Sequence, residues 1–114
     1  MSRLDKYPKS IRKLIGVFLN EAYQSELHRE LSHLENHFKD WCDGKIDNDD
    51  LTNFIHQFHD QDVRDLNKRY NGDFPDLVVA YAFAKEILDK KEAPKELIEA
   101  LSELIKDVED YDDY

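Results

Sequence analysis

Glycine and proline are scarce in this chain, three of each in 114 residues, and their scarcity disfavours a sheet built on tight turns. The single cysteine, Cys42, excludes an internal disulfide and any cysteine-rich zinc site, in agreement with a reducing compartment. No run of about eighteen apolar residues occurs, so no membrane span is expected, and Met1-Ser2-Arg3-Leu4-Asp5-Lys6 leads into no apolar signal core. The expected location is cytoplasmic. Positive charge is also in deficit: 16 Lys and Arg against 26 Asp and Glu leave a formal charge of -10. That argues against a nucleic-acid partner, because binding to phosphate draws most of its affinity from Lys and Arg. Gly16, Gly44 and Gly72 stand too far apart for a phosphate-cradling loop.

What is present is helix-forming. Leu, Ile, Glu, Lys and Asp dominate, and the hydrophobic fraction of 40% suffices for the core of one domain over 1–114. With about 100° per residue as the period, Ile11, Leu14, Ile15, Phe18 and Ala22 form one stripe, and Leu27, Leu31, Leu34, Phe38 and Trp41 form another, turned by roughly 140° from the first. The spacing predicts a break near Tyr23 to Ser25, or else one long helix gripped by different partners at each end; the break is the preferred expectation. Leu51, Phe54, Ile55 and Phe58 give a third stripe, replaced by Val63, Leu66 and Tyr70 after a rotation of roughly 90°. Residues 77 to 88 are apolar almost all round, as in a helix surrounded by others. Leu97, Ile98, Leu101, Leu104, Ile105 and Val108 make a last regular stripe behind Pro94. The expected architecture is an all-α, irregular orthogonal bundle of five helices at 9–23, 25–43, 48–70, 75–91 and 94–109, with the fourth most buried and with frayed ends at 1–8 and 109–114. Gly16 is expected to let another helix approach closely, and Trp41 with Phe38 to close the core beside Asp43.

The stretch Asp43-Gly44-Lys45-Ile46-Asp47-Asn48-Asp49-Asp50 resembles the second half of a calcium-binding loop. With Gly44 at the sixth position, however, positions one and three become Lys39 and Trp41, which supply an ammonium and an indole where oxygen ligands are needed. The expectation is structural: Gly44 ends one helix, and Asp47 or Asn48 caps the next.

Five histidines raise the question of a metal. Glu30, His33 and His37 share one side of a helix, and Glu30-Leu31-Ser32-His33 matches one Glu-x-x-His element of helical di-iron sites, but the second element is missing. His56 and His59 precede Asp60 and Asp62. On an unbroken helix Asp62 would lie beneath Leu51, Ile55 and Phe58, with His59 as its nearest partner, a pairing suited to acid-base chemistry. No nucleophile with an orienting base is visible, so no catalytic residue is assigned. The low-ranking metal candidates are His56, His59, Asp62, Glu30, His33 and His37; no cofactor is expected.

The run Trp41, Gly44, Ile46, Leu51, Ile55, His56, Phe58 and His59, continued by Leu66 and Tyr70, resembles a pattern of small bacterial all-α proteins without an assigned activity. The resemblance covers the middle quarter to third of the chain. It implies a bacterial, soluble, all-helical protein and carries over no functional residue.

Charge is uneven along the sequence. Residues 1 to 13 hold five bases against Asp5, whereas residues 103 to 114 hold six acids against Lys106. Composition therefore favours a small acidic adaptor, inhibitor or immunity-type protein that meets a basic protein, or a second copy of itself, with no nucleic acid and no membrane involved. The alternative is a metal-dependent or acid-base enzyme built on the His/Asp/Glu cluster. A DNA mimic is a third class that composition permits.

Overall fold

The computed structural model describes residues 3–111; the expectations for 1–2 and 112–114 lie outside them. The chain is all-α. The helices are α1 (Lys9–Cys42), α2 (Asn48–Gln57), α3 (Val63–Tyr70), α4 (Pro75–Ala84), α5 (Lys95–Ala100) and α6 (Ser102–Tyr111), with a π turn at Phe58–Asp62 and short 3-10 turns at Arg3–Lys6 and Lys90–Glu92. No helix among the described residues is long and apolar enough to cross a membrane.

The expected break at Tyr23 to Ser25 does not occur, because α1 is continuous from Lys9 to Cys42. The chain instead divides into two compact units, Met1–Tyr23 with Tyr70–Tyr114, and Gln24–Arg69. The turn in the apolar stripe falls on that boundary, so the phase jump marks a change in what the helix is packed against and not a break in its backbone.

The first unit holds most of the core. Ile11, Ile15 and Ala22 of α1 are buried there together with Tyr70, Val79, Ala80, Ala82, Phe83, Leu88, Leu97, Leu101 and Ile105. Burial of a side chain such as Phe83 or Ile15 contributes about 1.5–3 kcal/mol. Phe18 meets Phe83 with ring centroids 5.8 Å apart, and Tyr23 meets Tyr70 edge-on at 5.6 Å. Helix α4 packs mainly on α6 and has more buried residues than any other described element, as its all-round apolar sequence requires.

Two expected helices are interrupted. The fourth stops at Ala84, seven residues early: Glu86 adopts φ 60° and the Ile87 N–H returns to the Ala82 carbonyl at 2.9 Å. This left-handed helix end normally carries glycine. The reversal brings Leu88 into the core, and Asp89 then caps the 3-10 turn by accepting from the Lys91 N–H at 2.9 Å. The fifth is kinked at Leu101 (φ -101°, ψ 5°), where the Ser102 hydroxyl donates back to the Glu99 carbonyl at 2.9 Å.

Gly16 does not admit a neighbouring helix: a Cβ there would meet nothing within 4 Å. Arg3 and Tyr7, in the segment 1–8 where fraying is expected, bond to Asp76, as described below, and α6 extends to Tyr111.

Candidate functional site

The second unit begins from a helical hairpin that the sequence specifies locally. Gly44, at φ 75°, ends α1, with the Lys45 N–H bonded to the Asp40 carbonyl at 2.9 Å. Asp47 then caps α2 in a reciprocal capping box: its carboxylate accepts from the Asp50 N–H at 2.8 Å, and Asp50 accepts from the Asp47 N–H at 3.1 Å. The calcium-like stretch is thus a helix-turn-helix joint.

Across the hairpin, His37 stacks on Phe54 at 3.6 Å, and the Trp41 indole N–H donates to Asn48 Oδ1 at 2.8 Å. These contacts fix which faces of α1 and α2 meet. Yet Leu51 and Leu66 are the only buried residues among the described residues of this unit. Leu31, Phe38, Trp41 and Ile55 remain 40–48% exposed. Leu31 and Phe38 are seven residues apart on α1, with Trp41 one turn further on. Asn48, bonded to Trp41, and Ile55 are likewise seven apart on α2. Helical periodicity therefore sets the four apolar groups along one side of the hairpin. The expectation that Trp41 and Phe38 close the core is corrected: they form part of an apolar face, and Cys42 beside them is exposed.

At Phe58–Asp62 the Val63 N–H reaches back five residues to the Phe58 carbonyl. A π turn inserts one residue into the helix. One residue is about 100° of helical phase, which accounts for the rotation between the Leu51–Phe58 and Val63–Tyr70 stripes: the insertion returns Leu66 to the buried side. It also dissolves the expected His59–Asp62 pair. The His59 ring is bonded to Asp60 at 2.9 Å, and both side chains are exposed. That hydrogen bond, aided by the charges of His59, His56 and Arg64, outweighs desolvation and holds the Asp60 carboxyl below its usual range.

Of the six candidate residues, the structure brings Glu30 and Asp62 to one cleft of about 220 Å³, lined by Glu26, Arg29, Glu30, Asp62, Asp65, Leu66 and Arg69. Arg69 grips both oxygens of Glu26 there, at 3.1 and 3.2 Å. His56 and His59 do not line it, and neither do His33 and His37. No group of three or more His, Cys, Asp or Glu side chains that could hold a metal is found among the described residues.

The residue that sequence reasoning missed lies in the first unit. Asp76, one residue into α4 from Pro75, has no exposed surface. Its Oδ1 accepts from Arg3 Nε at 2.6 Å and from the Leu77 N–H at 3.0 Å; its Oδ2 accepts from the Tyr7 hydroxyl at 2.8 Å. Burial pushes the carboxyl up, but the hydrogen bonds from Tyr7 and Arg3, the Arg3 charge and the Leu77 N–H outweigh it and hold Asp76 below its usual range. The same burial, with Asp76 as acceptor and charge, pushes the Tyr7 phenol from 10.0 to about 12 against a smaller opposing pull from Arg3. The one available signal was a lone charge in an otherwise apolar helix. Its partners lie 69 and 73 residues away in sequence, beyond any local pattern.

No protein-family model matches the chain, and no curated protein or solved structure matches it.

Proposed function

We propose that the protein works by binding another protein, as a small acidic adaptor, inhibitor or immunity-type factor, and that the Leu31–Phe38–Trp41–Ile55 face of the second unit is the contact surface. One observation carries this reading. A unit with two buried residues among those described leaves four large apolar groups, including the chain's one tryptophan, half exposed on one side. Clustered exposed apolar groups of this kind mark interaction surfaces, and Trp is enriched among the residues that dominate binding energy. The formal charge of -10 favours a basic partner through faster, salt-sensitive encounter. Self-association through the same face is the other form the reading takes.

The test places a photo-crosslinking residue at Phe38, with a control at Lys13 in the first unit, in cells expressing the full chain. A specific adduct at position 38, weakened by Trp41→Ala and by high salt, supports the reading, and its mass separates a basic partner from a second copy. Equal yields at the two positions would defeat it.

A further inference from the structure

The end of α4 contravenes two local preferences at one residue. Glu86 holds φ 60°, the left-handed region where a side chain costs stability and glycine is the usual occupant. It also places a carboxylate just past the C-terminus of a helix, where the last carbonyls already carry partial negative charge and favour a cation. Backbone strain of this kind collects at functional sites, and Glu86 lines a cleft of about 490 Å³ in the first unit, within the size range of small-molecule sites. The cleft has an apolar base of Phe83, Ala84 and Leu88 and a charged rim drawn from Glu86, the 3-10 turn and α6. The rim compensates itself only in part. Lys90 Nζ meets Glu109 Oε1 at 2.7 Å, which ties the 3-10 turn to α6 and cancels one base against one acid. That leaves Glu86 and Asp89 against a single base, Lys91, whose N–H already takes one oxygen of Asp89. Lys85, next to Glu86 in sequence, does not line the cleft; its Nζ stands 6.0 Å from the centre of the Tyr81 ring. The Glu86 carboxylate has no hydrogen-bond or ion-pair partner among the described residues.

We propose that this cleft is a binding site for a small organic amine, in which Glu86 holds the ammonium group and Phe83, Ala84 and Leu88 receive the apolar body. An unpartnered carboxylate beside an apolar base, at the negative end of a helix, is complementary to an ammonium carried on an apolar group. The left-handed turn is the means by which that carboxylate reaches the rim. A glycine would hold the same turn with less strain and supply no anion. The site belongs to the first unit and stands independently of the Trp41 face.

Phenethylamine, a primary ammonium on a phenyl-bearing chain, is the probe, read by heteronuclear NMR of the full chain. The amide signals of Ala84 and Leu88 should shift saturably, with a Kd on the order of millimolar, as suits a ligand of this size. Phenethyl alcohol, of the same shape without the charge, and hydrocinnamate, of opposite charge, should each bind more weakly by about fivefold or more. Glu86→Gln, which keeps the side-chain length and removes the charge, should weaken the amine about tenfold. Glu86→Gly should weaken it as much while raising the melting temperature, an opposition that a purely structural role would not produce. The proposal is overturned by an absent saturable shift in the wild type, by equal affinity for the amine and either control, or by an affinity for the amine that survives both Glu86 variants. Should Glu86→Gln lose its helical circular dichroism, Glu86→Gly decides alone under the same criteria.

Discussion

Replacing Asp76 with alanine should destabilise the protein by about 2–3 kcal/mol at neutral pH. Breaking a fully buried pair by deleting one partner costs about 3–5 kcal/mol, most of it the uncompensated charge left behind. Here the surviving Arg3 is 33% exposed and recovers water, which places the effect below that range. What is lost is one charge-assisted bond each from Arg3 and Tyr7 and the acceptor of the Leu77 N–H. Asp76→Asn keeps the volume and an acceptor, and should cost about 1–2 kcal/mol. For a chain of this length, roughly 4 °C of melting temperature accompanies each kcal/mol, so the alanine variant should melt about 10 °C lower. The pH dependence follows from the direction of the shift. A carboxyl lowered in the folded state contributes fully above its unfolded value, about 3.9, and loses the contribution as pH falls through the folded value. The gap between wild type and Asp76→Ala should therefore be widest near neutrality and close in acid. Urea denaturation followed by far-ultraviolet circular dichroism, from neutral pH down through the acid range, measures both. A variant within about 0.5 kcal/mol of wild type at neutral pH, or a gap that persists in acid, would refute the assignment of Asp76 as the clasp.

Tyr7 should titrate late. Its raised value favours the neutral phenol in the folded protein, so its contribution is complete below pH 10.0 and lost as pH rises through about 12; tyrosinate absorbance should show that late step and lose it in Asp76→Asn. Gly16→Ala should stabilise by about 1 kcal/mol, since the position is mid-helix, exposed and unobstructed; a destabilised variant would show that Gly16 is needed for contact. Glu86→Gly should stabilise by about 1 kcal/mol by relieving the left-handed φ of 60°, whereas Glu86→Val should cost more than the glycine change gains. Removal of Gln61, which turns the π turn into regular helix without changing the buried face, should shift the melting midpoint by less than roughly 5 °C; outright unfolding would show that the extra residue is required.

The helix-turn-helix joint at Gly44 and Asp47 was legible because both ends of the signal lie within a few residues, where steric and hydrogen-bonding preferences act alone. The phase jumps near Tyr23 and Asp60 were legible as numbers but not as structures. A rotation of the apolar stripe is equally consistent with a broken helix, a change of packing partner and a π insertion, and only the packed molecule separates them. The early end of α4 gave no signal, since Glu86 takes a conformation that sequence reserves for glycine. The His59–Asp62 pairing failed for a countable reason: one inserted residue moved the second group by about 100°.

By itself, then, the sequence determined the helical class, the absence of a disulfide, the acidic balance and the caps of the hairpin, because composition and short-range geometry act without reference to the rest of the chain. Tertiary structure decided where Asp76 finds Arg3 and Tyr7, which of the apolar side chains stay uncovered at Trp41, and how one continuous helix serves two units. Those outcomes rest on contacts between residues distant in sequence, and no periodicity records a contact whose partner lies 73 residues away.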